Sequence, residues 1–309
     1  PRSTPLYSSA ASDVYKRQAY INSLAISGRK SILSILNRCV KALGESESAC
    51  NYPWHELRYV HVVKIRAVLL DMGYALSTVN LALAALRGMA QTAFNMGLLG
   101  SDELGRIRAV KRVKGEAART GRALSSVEVK LMLGVAKGHV HKARRARDRA
   151  ILLLACGAGL RAAELVSLRL DNFHSDDGKI RVLNGKGRKS RDIYLAKTVV
   201  SALKAWVRIN GSCNGPLFSK ISRAGNPEDK PLSTAGLTSI LTGLMESAGV
   251  DKFTPHDLRR TFITRLLEQN VDINTVRQLA GHSDISTTIR YDLRGEESKI
   301  LASRNFKCW

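Results

Sequence analysis

No apolar run approaches the roughly 18 residues that a bilayer-crossing helix needs, so a transmembrane segment is not expected. Neither a basic-then-apolar signal peptide nor a lipidation motif stands at the start. Cysteine is scarce: Cys39, Cys50, Cys156, Cys213 and Cys308 are scattered, with no C-x-x-C pair and no Cys/His spacing of a zinc site. That usage fits a reducing cytoplasm, and Cys156, in an apolar run, is expected to pack as a small hydrophobe. Acidic residues are in short supply, with 26 Asp+Glu against 49 Lys+Arg and a formal net charge of +23. Such a surplus favours a polyanionic partner, because each neutralised phosphate releases condensed counterions. Nucleic acid is the first candidate; no basic amphipathic helix or lipid anchor argues for a membrane surface. No Asp/Glu cluster of the kind that holds Mg²⁺ is evident, so neither metal nor cofactor is expected.

What is present is a globular composition, 44% hydrophobic over 309 residues, enough for two domains. Residues 1–18 show no periodicity, and S-S-A-A-S-D-V-Y-K-R-Q resembles a translated cloning adapter, so they are expected to be a non-native or disordered leader. Residues 19–105 read as an all-α domain. One apolar stripe (Ile32, Leu33, Ile35, Leu36, Val40, Leu43) stops at Gly44, a second helix carries Val60, Val63, Ala67, Leu69 and Leu70 to Gly73, and a third starts near Ser77-Thr78. Residues 106–123 form a basic linker with Arg106, Arg108, Lys111, Arg112 and Lys114, which either is simply solvated or tracks a phosphate backbone.

Ser125-Ser126-Val127-Glu128 is a capping-box pattern that opens a second domain over 124–309. Gly157-Ala158-Gly159 breaks an apolar helix and Arg161 to Leu165 opens the next. Lys179 to Leu183 and Arg191 to Leu195 alternate around N-G-K-G-R-K-S, a β-hairpin with a basic tip. Helices are expected at Thr198 to Ile209, at Ser233 to Ser247 and for most of the chain after Pro255. The fold class is therefore mainly α with one small β-hairpin or sheet.

Six residues can carry chemistry, and each has a bland alternative. Arg161, at a helix start after a Gly-x-Gly turn, could grip an anion bidentately or simply pair with Glu164. His256 and Arg259 share a helix face three apart, with Thr254 and Pro255 suited to the helix start and Leu258, Phe262 and Leu266 marking its buried side. Lys186 lies at the hairpin tip, where Arg188, Lys189 and Arg191 compete with it for any role. His282 follows Gly281, a C-cap, with Ser283 suited to cap the next short helix; Tyr291 ends that helix and could be packing alone.

Taken together, G-A-G-L-R-A-A-E-L, G-K-G-R-K-S-R, H-D-L-R-R-T-F, L-A-G-H-S-D and T-T-I-R-Y resemble the signature segments of the tyrosine recombinase (phage integrase) family, in its order. The likeness is strong over 124–309 and only in outline over 19–105. It implies a core-binding domain and a catalytic domain forming a C-shaped clamp on double-stranded DNA. Tyr291 then matches the nucleophile, Arg161 and Arg259 the phosphate-holding arginines, His256 and His282 the paired active-site positions. Lys186 matches the hairpin lysine that protonates the leaving 5′ oxygen, and Glu164 an acidic supporter of the first arginine. The resemblance also implies a homotetramer on DNA, with the segment Gly295 to Trp309 docking either in trans or on its own chain. A mobile-element integrase is the leading expectation; a Xer-type dimer resolvase, a type IB topoisomerase-like enzyme and a non-cleaving DNA-binding protein are the alternatives.

Overall fold

The computed structural model describes residues 19–45, 48–115, 121–183, 190–212, 214–292 and 303–304. The chain forms two compact units, Pro1–Thr120 and Gly121–Trp309.

The described residues of the first unit form helices joined by turns and loops, with no strand among them. After a short helical turn at 19–23 come α1 (Ile26–Leu43), α2 (Tyr59–Asp71), α3 (Leu76–Asn95) and α4 (Ser101–Ala109). The stripe on α1 packs inward through Ile35, Leu36 and Val40, and Gly44 ends the helix at φ 91°, its amide donating to the Lys41 carbonyl and the Glu45 amide to the Val40 carbonyl. Trp54 is fully enclosed and its indole N–H donates to the Ala49 carbonyl at 2.9 Å, so the largest side chain of this core leaves no orphan donor. On α2 the buried face is Val62, Ile65 and Leu69, while Val60 and Val63 are exposed. The sequence supports two apolar faces there, and packing against α3 and α1 selects one. Ala75, not Ser77 or Thr78, precedes α3, and no side chain caps it. Arg106 and Arg108 lie on α4, whose Leu104 and Ile107 are buried, so the helical domain runs past 105 and the linker cannot begin at 106. Charge alone drew that boundary; the buried pair at i, i+3 overrides it.

The second unit is built around α6 (Lys142–Ala158), one continuous helix whose basic first half runs into an apolar second half ending at the Gly157-Ala158-Gly159 break. It packs against α5 (Ser126–Gly138), α8 (Lys197–Asn210) and α10 (Pro255–Glu268). The Ser125–Glu128 capping box is present as read. The linker expected to reach 123 ends earlier: the Arg122 amide donates to Asp257 Oδ1 at 3.0 Å and the Leu124 amide to Thr261 Oγ1 at 2.8 Å, pinning both to α10. After α7 (Ala162–Ser167), strands β1 (Phe173–His174), β2 (Lys179–Val182) and β3 (Arg191–Tyr194) form an antiparallel sheet in that order, with Ile180 opposite Ile193. The hairpin is as expected; β1 and a second ladder, β4 (Ser219–Ile221) with β5 (Pro227–Pro231), are additions too short to leave a period in the sequence. Helices α9 (Thr234–Ser247), α11 (Ile273–Ala280) and α12 (Ile285–Ile289) complete the unit. Among the described residues, no helix is long and apolar enough to cross a membrane.

Two hydrophobic clusters meet at α10. Leu258 belongs to the main core with α6 and α8, whereas Phe262, Ile263 and Leu267 join Val276, Ala280 and Tyr291 in a smaller one.

Candidate active site

Helix α10 starts with Pro255 at its first position, and Asp257 Oδ2 accepts from both the amide and the hydroxyl of Thr254 at 2.8 Å. This fixes the first turn and with it His256, whose Nε2 lies 3.1 Å from the Tyr291 hydroxyl. One turn on, Arg259 is 1% exposed, so it belongs to the buried side of the helix rather than to a solvated one. Its Nη1 donates to the Gly159 carbonyl at 2.7 Å, while Nη2 is buried without a hydrogen-bond partner. Burial first, and Arg161 second, hold its pKa down at about 10. A guanidinium in that condition is a receptor for an anion.

Gly159 ends α6 at φ 58°, and a Cβ there would lie 2.3 Å from the Phe262 ring, so glycine is required both by conformation and by closeness. The tight turn places Arg161 at the start of α7. Its Nη1 donates to Glu164 Oε1 at 2.7 Å, its backbone N–H to Glu164 Oε2 at 3.0 Å, and its Nη2 to the Gly281 carbonyl at 3.2 Å. The bland expectation for Arg161 holds, since it pairs with Glu164, and its guanidinium also reaches the turn that carries His282.

Gly281 ends α11 at φ 68°. His282 follows, 7% exposed, with Nδ1 2.9 Å from Thr288 Oγ1. Asp284, not Ser283, caps α12, accepting from the Ser286 amide. Tyr291 lies two residues beyond that helix. Its ring is 7% exposed, stacks with His282 at 6.0 Å between centroids, and has the Arg260 guanidinium carbon 4.9 Å from its centre. The Tyr291 hydroxyl thus meets the His256 imidazole, while its ring lies against the His282 imidazole and the Arg260 guanidinium.

The phage integrase family model matches residues 122–295. Two curated relatives match with similar coverage. One is the tyrosine recombinase XerA of Thermococcus kodakarensis, 37% identical over 71% of this chain and 71% of that protein. The other is the tyrosine recombinase XerD of Halalkalibacterium halodurans, 34% identical over 72% of each. The chain belongs to the phage integrase family. It is a tyrosine recombinase, an enzyme that breaks and rejoins DNA strands. Its fold is shared with the Tn1549 transposon integrase in complex with transposon right end DNA, at TM-score 0.68 and 17% identity over 96% of this chain and 99% of the other. A lambda integrase dimer bound to a COC′ core site gives TM-score 0.66, also at 17% identity, over 92% of this chain and 94% of that one.

The recombinase brings Arg161, Glu164, His256, Arg259, His282 and Tyr291 into one pocket. Lys186, Arg188 and Lys189 lie outside the described residues, as does nearly all of the segment Gly295 to Trp309. Arg106, Arg108, Lys111, Arg112 and Lys114 belong to the first unit. Three contributors escaped the sequence reading: Arg260, Thr288 and, as more than a competitor at the hairpin tip, Arg191. For Arg191 a signal existed. It is two residues from the buried Ile193 and opposite the buried Val182, so strand alternation turns it inward.

Burial, then Arg259 and Arg161, lower His282 to about 4, and burial followed by Arg259 and Arg260 lowers His256. Both imidazoles of the recombinase are therefore neutral near pH 7. The unfolded chain protonates such a group near about 6.5. His282 thus contributes stability that is complete above that pH and is lost as pH falls toward about 4. Burial would raise Glu164, but hydrogen bonds from Arg191 and from the Arg161 amide prevail and hold it at about 2, so its contribution fades only below the unfolded carboxylate range. Between pH 7 and 5 the wild type is expected to lose on the order of 1–2 kcal/mol through His282. His282→Asn should flatten the melting-temperature profile over that interval; parallel profiles would show that His282 is not the group responsible.

Proposed function

We propose that this tyrosine recombinase is a site-specific enzyme of a mobile element, an integrase acting on double-stranded DNA in the cytoplasm. The observation that carries the site assignment is the Tyr291 hydroxyl, 3.1 Å from His256 Nε2 and grouped with Arg161 and Arg259. In this reading Arg161 and Arg259 hold the scissile phosphate and stabilise the extra negative charge of the pentacoordinate transition state. The buried Nη2 of Arg259 gains the partner it lacks. His256, neutral, accepts the phenol proton as the Tyr291 oxygen attacks phosphorus. The P–O5′ bond breaks, Lys186 supplies a proton to the leaving oxygen, and a 3′-phosphotyrosyl link and a free 5′-hydroxyl result. His282, held by Thr288, lines the pocket beside the tyrosine. Reversal of these steps on a partner strand makes a Holliday junction, within a homotetramer whose C-terminal segment docks in trans. Lys111, Arg112 and Lys114, with Arg106 and Arg108 on α4, contact phosphates.

A second reading, resolution of chromosome or plasmid dimers, is favoured by the names of the two relatives, XerA and XerD. Recombination between two copies of a chromosomal site, against insertion of a marked element, separates the two. The shared chemistry is tested on a nicked suicide duplex in the presence of a chelator. A covalent adduct should accumulate, and its peptide should map to Tyr291. A strict Mg²⁺ requirement, or an adduct at another residue, would sink the mechanism; relaxation of any plasmid regardless of sequence would point to a topoisomerase.

A further inference from the structure

Arg191 opens β3, outside the six residues assigned above, yet it faces the pocket. Its side chain is 12% exposed and forks onto Glu164, with Nη1 at 3.2 Å from Oε1 and Nη2 at 2.8 Å from Oε2. Glu164 therefore accepts from two guanidiniums and one amide: Arg161 Nη1 and Arg191 Nη1 on Oε1, Arg191 Nη2 and the Arg161 N–H on Oε2. Among the groups lowering the Glu164 pKa, Arg191 acts more strongly than Arg161. The same guanidinium lies under the turn that carries His282, since a Cβ on Gly281 would be 2.8 Å from Arg191 Nη1 and 2.9 Å from Cζ. Arg161 reaches that turn from the other partner of Glu164, through the Gly281 carbonyl.

We infer that Arg191 is a positioning residue for cleavage: by occupying Glu164 and seating the Gly281 turn, it keeps Arg161 reaching across the pocket toward the phosphate. The inference rests on the site reading given above. The reasoning is one of competition for acceptors. A carboxylate that loses the Arg191 fork keeps one guanidinium neighbour, Arg161, and closes onto it bidentately. Arg161, whose side chain is 47% exposed, has few contacts to resist that collapse, and its Nη2 leaves the Gly281 carbonyl. Lysine cannot replace the fork, because a point charge satisfies one oxygen and imposes no plane.

The test is single-turnover adduct formation on the suicide duplex by Arg191→Lys, Arg191→Ala and Gly281→Ala, with duplex affinity and melting temperature measured on the same proteins. Wild type and Tyr291→Phe are run first: an adduct in the former and none in the latter upholds the site reading independently of Arg191. Arg191→Lys is then expected to fold and bind DNA as wild type does but to cleave about 10–100-fold more slowly, the range for residues that hold another functional group in place. Gly281→Ala, which pushes the guanidinium off its seat, should show the same defect in cleavage. A duplex carrying a 5′-bridging sulfur, whose leaving group needs no proton, provides the decisive comparison. The slow variants should remain slow on it, because the defect lies in holding the phosphate. Recovery of rate on that duplex would move the action of Arg191 to the leaving oxygen and overturn the inference, as would Arg191→Lys cleaving at the wild-type rate. If Arg191→Ala fails to fold, Arg191→Lys and Gly281→Ala still decide.

Discussion

Tyr291→Phe is expected to bind its DNA site with wild-type affinity and to form no covalent adduct and no recombinant product. The substitution removes one oxygen and leaves the ring, so the 6.0 Å stacking with His282 and the Arg260 guanidinium over the ring face persist. The structural cost is one hydrogen bond to an exposed imidazole, about 1 kcal/mol or less. The chemical cost is complete, because no other atom at that place can bond to phosphorus. Denaturing gels of a labelled suicide duplex read the adduct, and a mobility shift reads binding. An adduct of normal yield from Tyr291→Phe would show that another residue is the nucleophile.

Arg259→Met is expected to separate cleavage from stability. Loss of a preorganised cation facing the developing phosphorane charge should slow cleavage by about 10²–10³-fold. Stability faces two opposing terms. The Gly159 carbonyl loses its donor, which costs about 1–3 kcal/mol for a buried acceptor. Against this, a guanidinium held at a pKa of about 10 by burial and by Arg161 is itself a liability in the DNA-free protein, and removing it relieves an amount of the same order. The melting temperature should therefore stay close to that of wild type while single-turnover cleavage collapses. A variant that melts far lower would mean that Arg259 is chiefly structural.

Much of this was legible because its signals are local. Gly44 and Gly281 as helix ends, the Ser125–Glu128 box, Pro255 at a first turn and the alternation flanking the hairpin each rest on a few neighbouring residues, and each is found in the fold. Four of the five short signature segments hold the six residues that the described chain brings together. What stayed hidden depends on distant partners. The α2 run offers Val60, Val62 and Val63 nearly side by side, and only packing against other helices decides which is buried. Arg106 and Arg108 read as linker because charge was weighed and the Leu104–Ile107 pair was not. Arg260 and the partner of Arg191 stay hidden because Tyr291 and Glu164 are 31 and 27 positions away.

The small cluster on the far side of α10 has a consequence for control. Tyr291 packs with Phe262, Ile263, Leu267, Val276 and Ala280, apart from the main core under α6. A breathing motion confined to α11 and α12 would withdraw Tyr291 and, through the Gly281 carbonyl, take the seat of Arg161 with it, while Arg259 stays on α10. Such local opening costs less than global unfolding. Tyr291 and the Gly281 seat of Arg161 thus lie beside one small cluster, so a single local opening would undo the proposed site without disturbing the main core.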